Sequence, residues 1–305
     1  MKNKQKLILE LRALTSAGIS DCYEALKDSG SDLQKAVDLI KQRGKSLVTG
    51  KKIAAEGLVK TMCFGDQTTI GMIEVNCVTD FVARSPEFTE FCDTVLKSMY
   101  AGWLSTSTWI IPSNIEEARQ QLASVTKENI DIRRWWVEQF LGEHGKVFSY
   151  VHPNPNEGKI GVLLNMQAET DSVLNSEAFY KLGDELAMQA AAMSPLAVSP
   201  DKLDLDVVSR QTSIFEAQVA VLNKPEQVAI KITEGKLNKW YKEVCLLNQE
   251  SVLHPKKSCK SILQEAEKEA GGKITVVNLI RCQVGEGIEV QTEDLADEAV
   301  KLVNS

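Results

Sequence analysis

Leu58-Val59-Lys60-Thr61-Met62-Cys63-Phe64, Gly65-Asp66-Gln67 and Thr69-Ile70-Gly71-Met72-Ile73-Glu74-Val75-Asn76 read as strand, turn and strand. Both outer runs are rich in β-branched and apolar residues, and a glycine with two polar neighbours separates them, so the pattern predicts a β-hairpin. After Cys77 comes Val78-Thr79-Asp80-Phe81-Val82-Ala83-Arg84, expected as a short loop. Ser85-Pro86-Glu87 then supplies an N-cap, a first-turn proline and an acidic partner for the helix dipole, opening a helix expected to reach about residue 100. A carboxylate and an aromatic side by side on a strand-to-helix loop, Asp80 and Phe81, are placed to serve a partner. Taken alone, the same residues have a local reading: Phe81 or Val82 stapling onto the next helix, and Asp80 accepting a capping bond.

Working downstream, residues 115–126 read as a helix and 129–140 as a strand, while 102–114, with Trp103 and Trp109, fit neither pattern. A second strand pair, 147–152 and 159–167, is joined by the breaker run Pro153-Asn154-Pro155-Asn156-Glu157-Gly158 and followed by a helix over 176–193, so the order repeats once. Leu205, Val208, Thr212, Phe215, Val219 and Leu222 then keep a 3,4 spacing. Asn223-Lys224-Pro225 turns the chain into a second helix carrying Ile230, Leu237, Tyr241 and Val244, which predicts a helical hairpin. A helix over 258–270, a turn at Gly271-Gly272, a strand over 274–284 and a terminal helix after Thr292 complete the body.

Upstream, residues 4–43 predict three short helices. Leu7, Ile8, Leu11 and Leu14 share one face, Cys22, Ala25 and Leu26 another, and Ser31-Asp32-Leu33-Gln34 has the form of a capping box ahead of Leu33, Ala36, Val37 and Ile40. A basic, glycine-bearing stretch from Arg43 to Lys52 reads as a tether.

At 305 residues, with 43% hydrophobic and 25% charged, the chain is long enough for more than one packed unit and ordinary for a globular protein. No run approaches the ~18 apolar residues of a membrane helix. The basic start has its apolar run broken after three positions, so a cytoplasmic protein with no membrane association is expected. Seven cysteines without a C-x-x-C pair suit reduced thiols, and His144, His152 and His254 share no metal-ligand spacing; neither metal nor cofactor is expected. Residues 1–54 carry eleven Lys/Arg against six Asp/Glu within a net charge of −7, a basic head on an acidic body. The acidic body argues against an RNA-binding protein.

The sequence carries no complete enzyme motif. Gly271-Gly272-Lys273-Ile274-Thr275 lacks the earlier glycine and the hydroxyl residue of a phosphate loop, and Gly285-Glu286-Gly287 has Val290 where a dinucleotide fingerprint needs its third glycine. Arg133-Arg134-Trp135-Trp136 mixes cations and aromatics, but strand alternation sends Arg133 and Trp135 to one face and Arg134 and Trp136 to the other, which makes no continuous stacking platform.

Several short motifs, in order and spacing, carry a resemblance. They are Leu11-Arg12 with Thr15, Ala17-Gly18 and Asp21-Cys22; Ala54-Ala55-Glu56-Gly57; Glu74-Val75-Asn76-Cys77 running into Thr79-Asp80-Phe81-Val82-Ala83; and Glu128-Asn129-Ile130 with Ile132-Arg133-Arg134. Tyr150 with His152, Gly158-Lys159-Ile160-Gly161-Val162-Leu163, Ala187-Met188-Gln189 and Val284-Gly285-Glu286-Gly287-Ile288-Glu289 complete the set. Almost end to end the chain resembles the elongation factor Ts family, guanine-nucleotide exchange factors for elongation factor Tu in bacterial and organellar translation.

The resemblance implies an α+β fold with an N-terminal three-helix module like ubiquitin-associated domains (1–44), a basic linker (45–55), and a core of two related α+β halves with antiparallel sheets (56–142; 143–200 with 246–290). A projecting helical hairpin (201–245) and a C-terminal helix (291–305) follow. It implies a non-enzyme that binds elongation factor Tu with GDP and promotes exchange, without itself binding nucleotide or nucleic acid. Thr79, Asp80, Phe81 and Val82 would disturb the partner's magnesium site, and Leu11, Arg12, Ile19, Ser20 and His152 would make other contacts. Ile19-Ser20 stands where the family commonly has two methionines, and Trp103, Trp109, Trp135 and Trp136 are unusual for it. The hairpin either pairs two copies or packs within one chain. A non-catalytic adaptor or chaperone that binds elongation factor Tu or other proteins without exchange is the competing expectation.

Overall fold

The computed structural model describes Leu7 and Leu11, residues 19–33, 35, 36 and 39, and residues 54–64, 68–106, 109–154 and 158–288. The chain divides into two compact units, Met1–Ile53 and Ala54–Ser305.

In the first unit, helix α1 (Ile19–Asp28) buries Ala25 and Leu26 with Leu11 and Ala36, and Leu7 and Leu33 pack at the margin. Gly30 and Ser31 both take positive φ, and Ser31 N donates to Leu26 O at 2.7 Å, a wrap that satisfies a last-turn carbonyl. The box expected at Ser31 is therefore displaced by one residue: Ser31 closes α1, and the Asp32 carboxylate accepts from Lys35 N at 3.1 Å. Gln34, Arg12, tether residues 45–53 and the terminal helix expected over 291–305 lie outside the described residues.

In the second unit, β1 (Glu56–Phe64), β2 (Thr69–Cys77) and β3 (Asp131–Gln139) form one antiparallel sheet in that order, and β4 (Gly145–His152), β5 (Ile160–Ala168) and β6 (Ile274–Gln283) form another. The hairpin read from the sequence sets Leu58 opposite Val75 and Phe64 opposite Thr69. β2 is buried along all nine residues, and that is why it reads as a continuous apolar run instead of an alternation.

The helices in chain order are α2 (Asp80–Ala83), α3 (Pro86–Thr106), α4 (Ser113–Thr126), α5 (Asp171–Leu174), α6 (Glu177–Met193), α7 (Leu205–Ala220), α8 (Glu226–Val244) and α9 (Cys259–Ala270). Phe88, Phe91, Val95, Leu96 and Met99 of α3 pack on Leu58, Ile73 and Val75. Phe179, Leu182 and Leu186 of α6 and Leu263 of α9 pack on Val162, Leu164 and Val276. The opposite faces of the two sheets meet through Val59, Ile70 and Met72 against Val147, Leu163 and Cys282. Gly161 permits this approach, since a Cβ there would run into the Val59 and Met72 side chains.

Other expectations change as well. The helix expected to stop near residue 100 continues to Thr106, and α4 begins at Ser113, with residues 109–112 ahead of it in neither helix nor strand. Within that stretch Trp109 is buried, meeting Trp135 edge-on at 5.5 Å between ring centroids, so it is core. The expected hairpin seam is only partly buried: Val219 is enclosed and Val208 packs at the base with Trp240, Tyr241 and Val244, whereas Leu205, Leu222 and Ile230 are exposed. Leu205 begins α7 and Leu222 follows its end, and two helices alone cover only a narrow stripe of each other.

Arg133 and Arg134 do not part as alternation predicts. The pairing shifts between Glu74 opposite Arg134 and Val75 opposite Ile132, a bulge that leaves Arg133 as the extra residue. Both guanidiniums consequently reach the fully buried Glu74, Arg133 Nη1 at 3.0 Å and Arg134 Nε in a close ion pair. The tryptophans do part, Trp135 toward the helices and Trp136 toward the inter-sheet core.

Candidate functional site

The segment expected as a loop is one helical turn. Thr79 is extended, and its hydroxyl accepts from Val82 N at 3.4 Å to open α2. Arg84 N donates to Asp80 O at 3.1 Å to close the turn, and Ser85 Oγ accepts from Phe88 N at 3.2 Å to begin α3. Four residues are too few to display a helical period.

This turn sorts its side chains. Ala83 is buried and Val82 half-buried against the helix-covered core, so Val82 is the staple. Phe81 is 83% exposed. Among the described residues the Asp80 carboxylate accepts no capping bond; it lies 3.6 Å from Arg84 Nη2 in an exposed pair worth at most about 1 kcal/mol. Leaving Phe81 in water forgoes about 1.5–3 kcal/mol of burial, which remains available to a partner with an apolar pocket.

The turn is also held from outside. Glu128, just past the end of α4, accepts from Val78 N and Thr79 N at 3.0 Å each on one carboxylate oxygen, and from the Thr79 hydroxyl at 2.6 Å on the other. The Cys77 thiol donates to Thr79 O at 3.2 Å. Burial, and after it the Glu128 charge, pushes that thiol up to about 12, so it stays protonated as a donor.

The second half repeats the turn residue for residue. Thr170-Asp171-Ser172-Val173-Leu174-Asn175-Ser176 matches Thr79-Asp80-Phe81-Val82-Ala83-Arg84-Ser85 in capping: Thr170 Oγ1 accepts from Val173 N at 3.4 Å, and Ser176 Oγ from Phe179 N at 3.2 Å. Phe88 and Phe179, three residues past the two serines, are both fully buried. At the position of Phe81 stands Ser172. This T-D-x-V-x-x-S correspondence was legible in the sequence and isolates Phe81 as the residue in which the halves differ most.

The other expected site residues lie on other elements. His152 is exposed at the end of β4, with Tyr150 Oη 3.2 Å from its Nδ1. Leu11 is fully buried in the small core of the first unit. Ile19 and Ser20 open α1. Gly271 caps the end of α9 at φ 77° and leads into β6, and Gly285 and Gly287 also take positive φ, so these glycines make turns. Among the described residues no cluster of three or more His, Cys, Asp or Glu could hold a metal ion, and no helix is long and apolar enough to cross a membrane.

Comparison with known proteins bears on the whole chain. A family model described as Elongation factor TS matches residues 78–286. Elongation factor Ts of Clostridium novyi (strain NT) is 34% identical over 309 residues, 98% of each chain. Elongation factor Ts of Clostridium botulinum (strain Eklund 17B / Type B) is 35% identical over 304 residues, 97% of each chain, and that of Clostridium kluyveri (strain NBRC 12016) is 35% identical over 308 residues, 98% of each.

Proposed function

The chain belongs to the elongation factor Ts family, and on that premise we propose that it binds elongation factor Tu carrying GDP in the cytoplasm and promotes GDP release and GTP exchange by disturbing the GTPase's magnesium site. The observation that carries this reading is Phe81, an exposed aromatic on a short turn that is anchored at both ends. Its position favours exchange over plain adaptor binding, because an apolar wedge seated in a partner pocket can displace the elements that position an ion. Weaker magnesium binding leaves the diphosphate charges less well neutralised, and GDP leaves faster.

No catalytic side chain is required. The work is done by binding energy, and coupling is reciprocal: if this protein weakens nucleotide binding, nucleotide weakens its own binding by the same factor, so incoming GTP releases it. A coupling of about 1–3 kcal/mol yields only about 5 to 150-fold, so effective exchange calls for several contacts, among them the N-terminal module through Arg12, Ile19 and Ser20, with Leu11 buried in that module's core, and His152 in the second half.

The test is release of a fluorescent GDP analogue from the cognate elongation factor Tu, with substoichiometric wild-type protein or Phe81→Ala. Wild type is expected to accelerate release catalytically, and Phe81→Ala to do so at least tenfold less, roughly one 1.4 kcal/mol contact. Binding without acceleration would establish the adaptor reading instead.

A further inference from the structure

We propose that Glu128 is a positioning residue for exchange: its carboxylate sets the direction in which Phe81 leaves the protein without touching the partner's nucleotide site. This rests on the exchange reading above and names a group that makes the Phe81 turn rigid enough to act as a wedge.

The geometry carries the assignment. A four-residue helix such as α2 has almost no stability of its own, because nucleation fixes several dihedrals for very few hydrogen bonds. Its C-terminal side is secured by Ala83 in the core and by the Ser85 cap of α3. Its N-terminal side is Val78-Thr79, where β2 has already ended and the backbone amides need acceptors. Glu128 supplies them: Oε2 takes both amides at 3.0 Å and Oε1 takes the Thr79 hydroxyl at 2.6 Å. Fixing the Thr79 hydroxyl as a donor toward Glu128 also turns its lone pair to Val82 N, so the clamp and the cap are a single chain of hydrogen bonds. Phe81 sits between the two residues of that cap.

The second half of the molecule is an internal control. There, Thr170 makes the same cap to Val173, but among the described residues no carboxylate accepts from Thr170 or from the amide before it; Glu169 N instead donates to Lys273 O at 2.9 Å. That turn presents Ser172, not an aromatic. The three-bond clamp is present where the exposed phenylalanine is and missing where it is not. The second turn is closed through Lys273 instead, whose amide also donates to Glu169 Oε2 at 2.8 Å, so a strand-to-helix turn of this kind is completed without a carboxylate clamp on its threonine.

The experiment uses the full chain in the GDP-release assay, titrated with elongation factor Tu·GDP to separate the rate at saturation from the half-saturating concentration. Glu128→Ala is expected to lower the saturated rate about tenfold or more, the size of effect that an ångström of misplacement produces, with little change in half-saturation. Glu128→Gln can still accept both amides and donate to the Thr79 hydroxyl, and is expected to stay within about twofold of wild type. Combining Glu128→Ala with Phe81→Ala is expected to be no slower than Phe81→Ala alone, because without the ring nothing remains to be aimed. If the losses multiply, or Glu128→Ala exchanges like wild type, or Glu128→Gln falls as far as the alanine, the assignment is wrong. Should Glu128→Ala fail to fold by thermal denaturation, Thr79→Val carries the test: a partial loss of saturated rate supports the clamp, and wild-type exchange overturns it. A wild-type protein that does not accelerate release at all would overturn the exchange reading itself, a result distinguishable from every outcome above.

Discussion

Two phenylalanines seven residues apart divide stability from function. Phe88 is fully buried under the first sheet, whereas Phe81 stands in solvent on the turn before it. Truncating Phe88 leaves a cavity that the packed α3 cannot close, and Phe88→Ala is expected to cost about 3–5 kcal/mol in urea unfolding. Phe81→Ala trims a residue that is 83% exposed and is expected to change unfolding free energy by less than about 0.5 kcal/mol while exchange falls. If Phe81→Ala is destabilised like Phe88→Ala, the ring is part of the fold and its loss of exchange says nothing about a wedge. The residues themselves gave only half of this distinction. The Ser85 cap and the helix after it were read, but Phe81 and Val82 were equal candidates for the staple, since which of two neighbours faces inward depends on a helical turn too short to leave a period in the sequence.

At the scale of elements, strands and long helices were legible because their burial is regular: 58–64 and 69–76 form a hairpin, and the helices read over 176–193 and 258–270 form with their first residues, Ser176 and Ser258, as the caps. What was hidden depends on a partner. The bulge in β3 follows from its pairing with Glu74 and Val75, which one strand's alternation cannot encode. Asp32, not Ser31, caps its helix because the preceding helix needs Ser31 in a left-handed closure. The duplicated turns allow a test at this scale. Thr170→Ala removes the cap of α5 and is expected to cost about 1 kcal/mol in unfolding, as cap losses generally do, with no change in GDP release. A loss of exchange in that variant would mean that the second turn also meets the partner, and that Ser172 is more than the plain counterpart of Phe81.

Across the whole second unit, three motifs that the sequence presents as separate family signatures converge on one carboxylate. Glu74 of β2 accepts from Arg133 and Arg134 of β3 and, at 2.8 Å, from Gly285 N beyond the end of β6. The arginines go on to Glu286 O at 2.6 Å and Gln283 O at 2.9 Å, so the network ties the two sheets together at one edge of their shared core. Gly285 is required there: its φ is 73°, and a Cβ would collide with Ala55 O. Burial by itself pushes the Glu74 carboxyl up, but the Arg134 bond and charge, the Gly285 amide and Arg133 together hold it below the ordinary carboxylate range. A carboxyl whose folded pKa is depressed stabilises the protein fully above its unfolded value, 4.5, and loses that contribution as pH falls through the folded value. Removing the carboxylate in Glu74→Ala strands two partly buried guanidiniums and is expected to cost about 3–5 kcal/mol at pH 7. The gap between wild type and variant in urea unfolding is expected to be constant above pH 4.5 and to narrow below it, because acid then protonates in the wild type what the substitution has removed. A gap that stays unchanged to the lowest pH at which both fold would mean that the junction is held by packing of the sheets, with the ion pairs only decorating it. The two halves would then be joined by Val59, Met72, Leu163 and Cys282 rather than by Glu74.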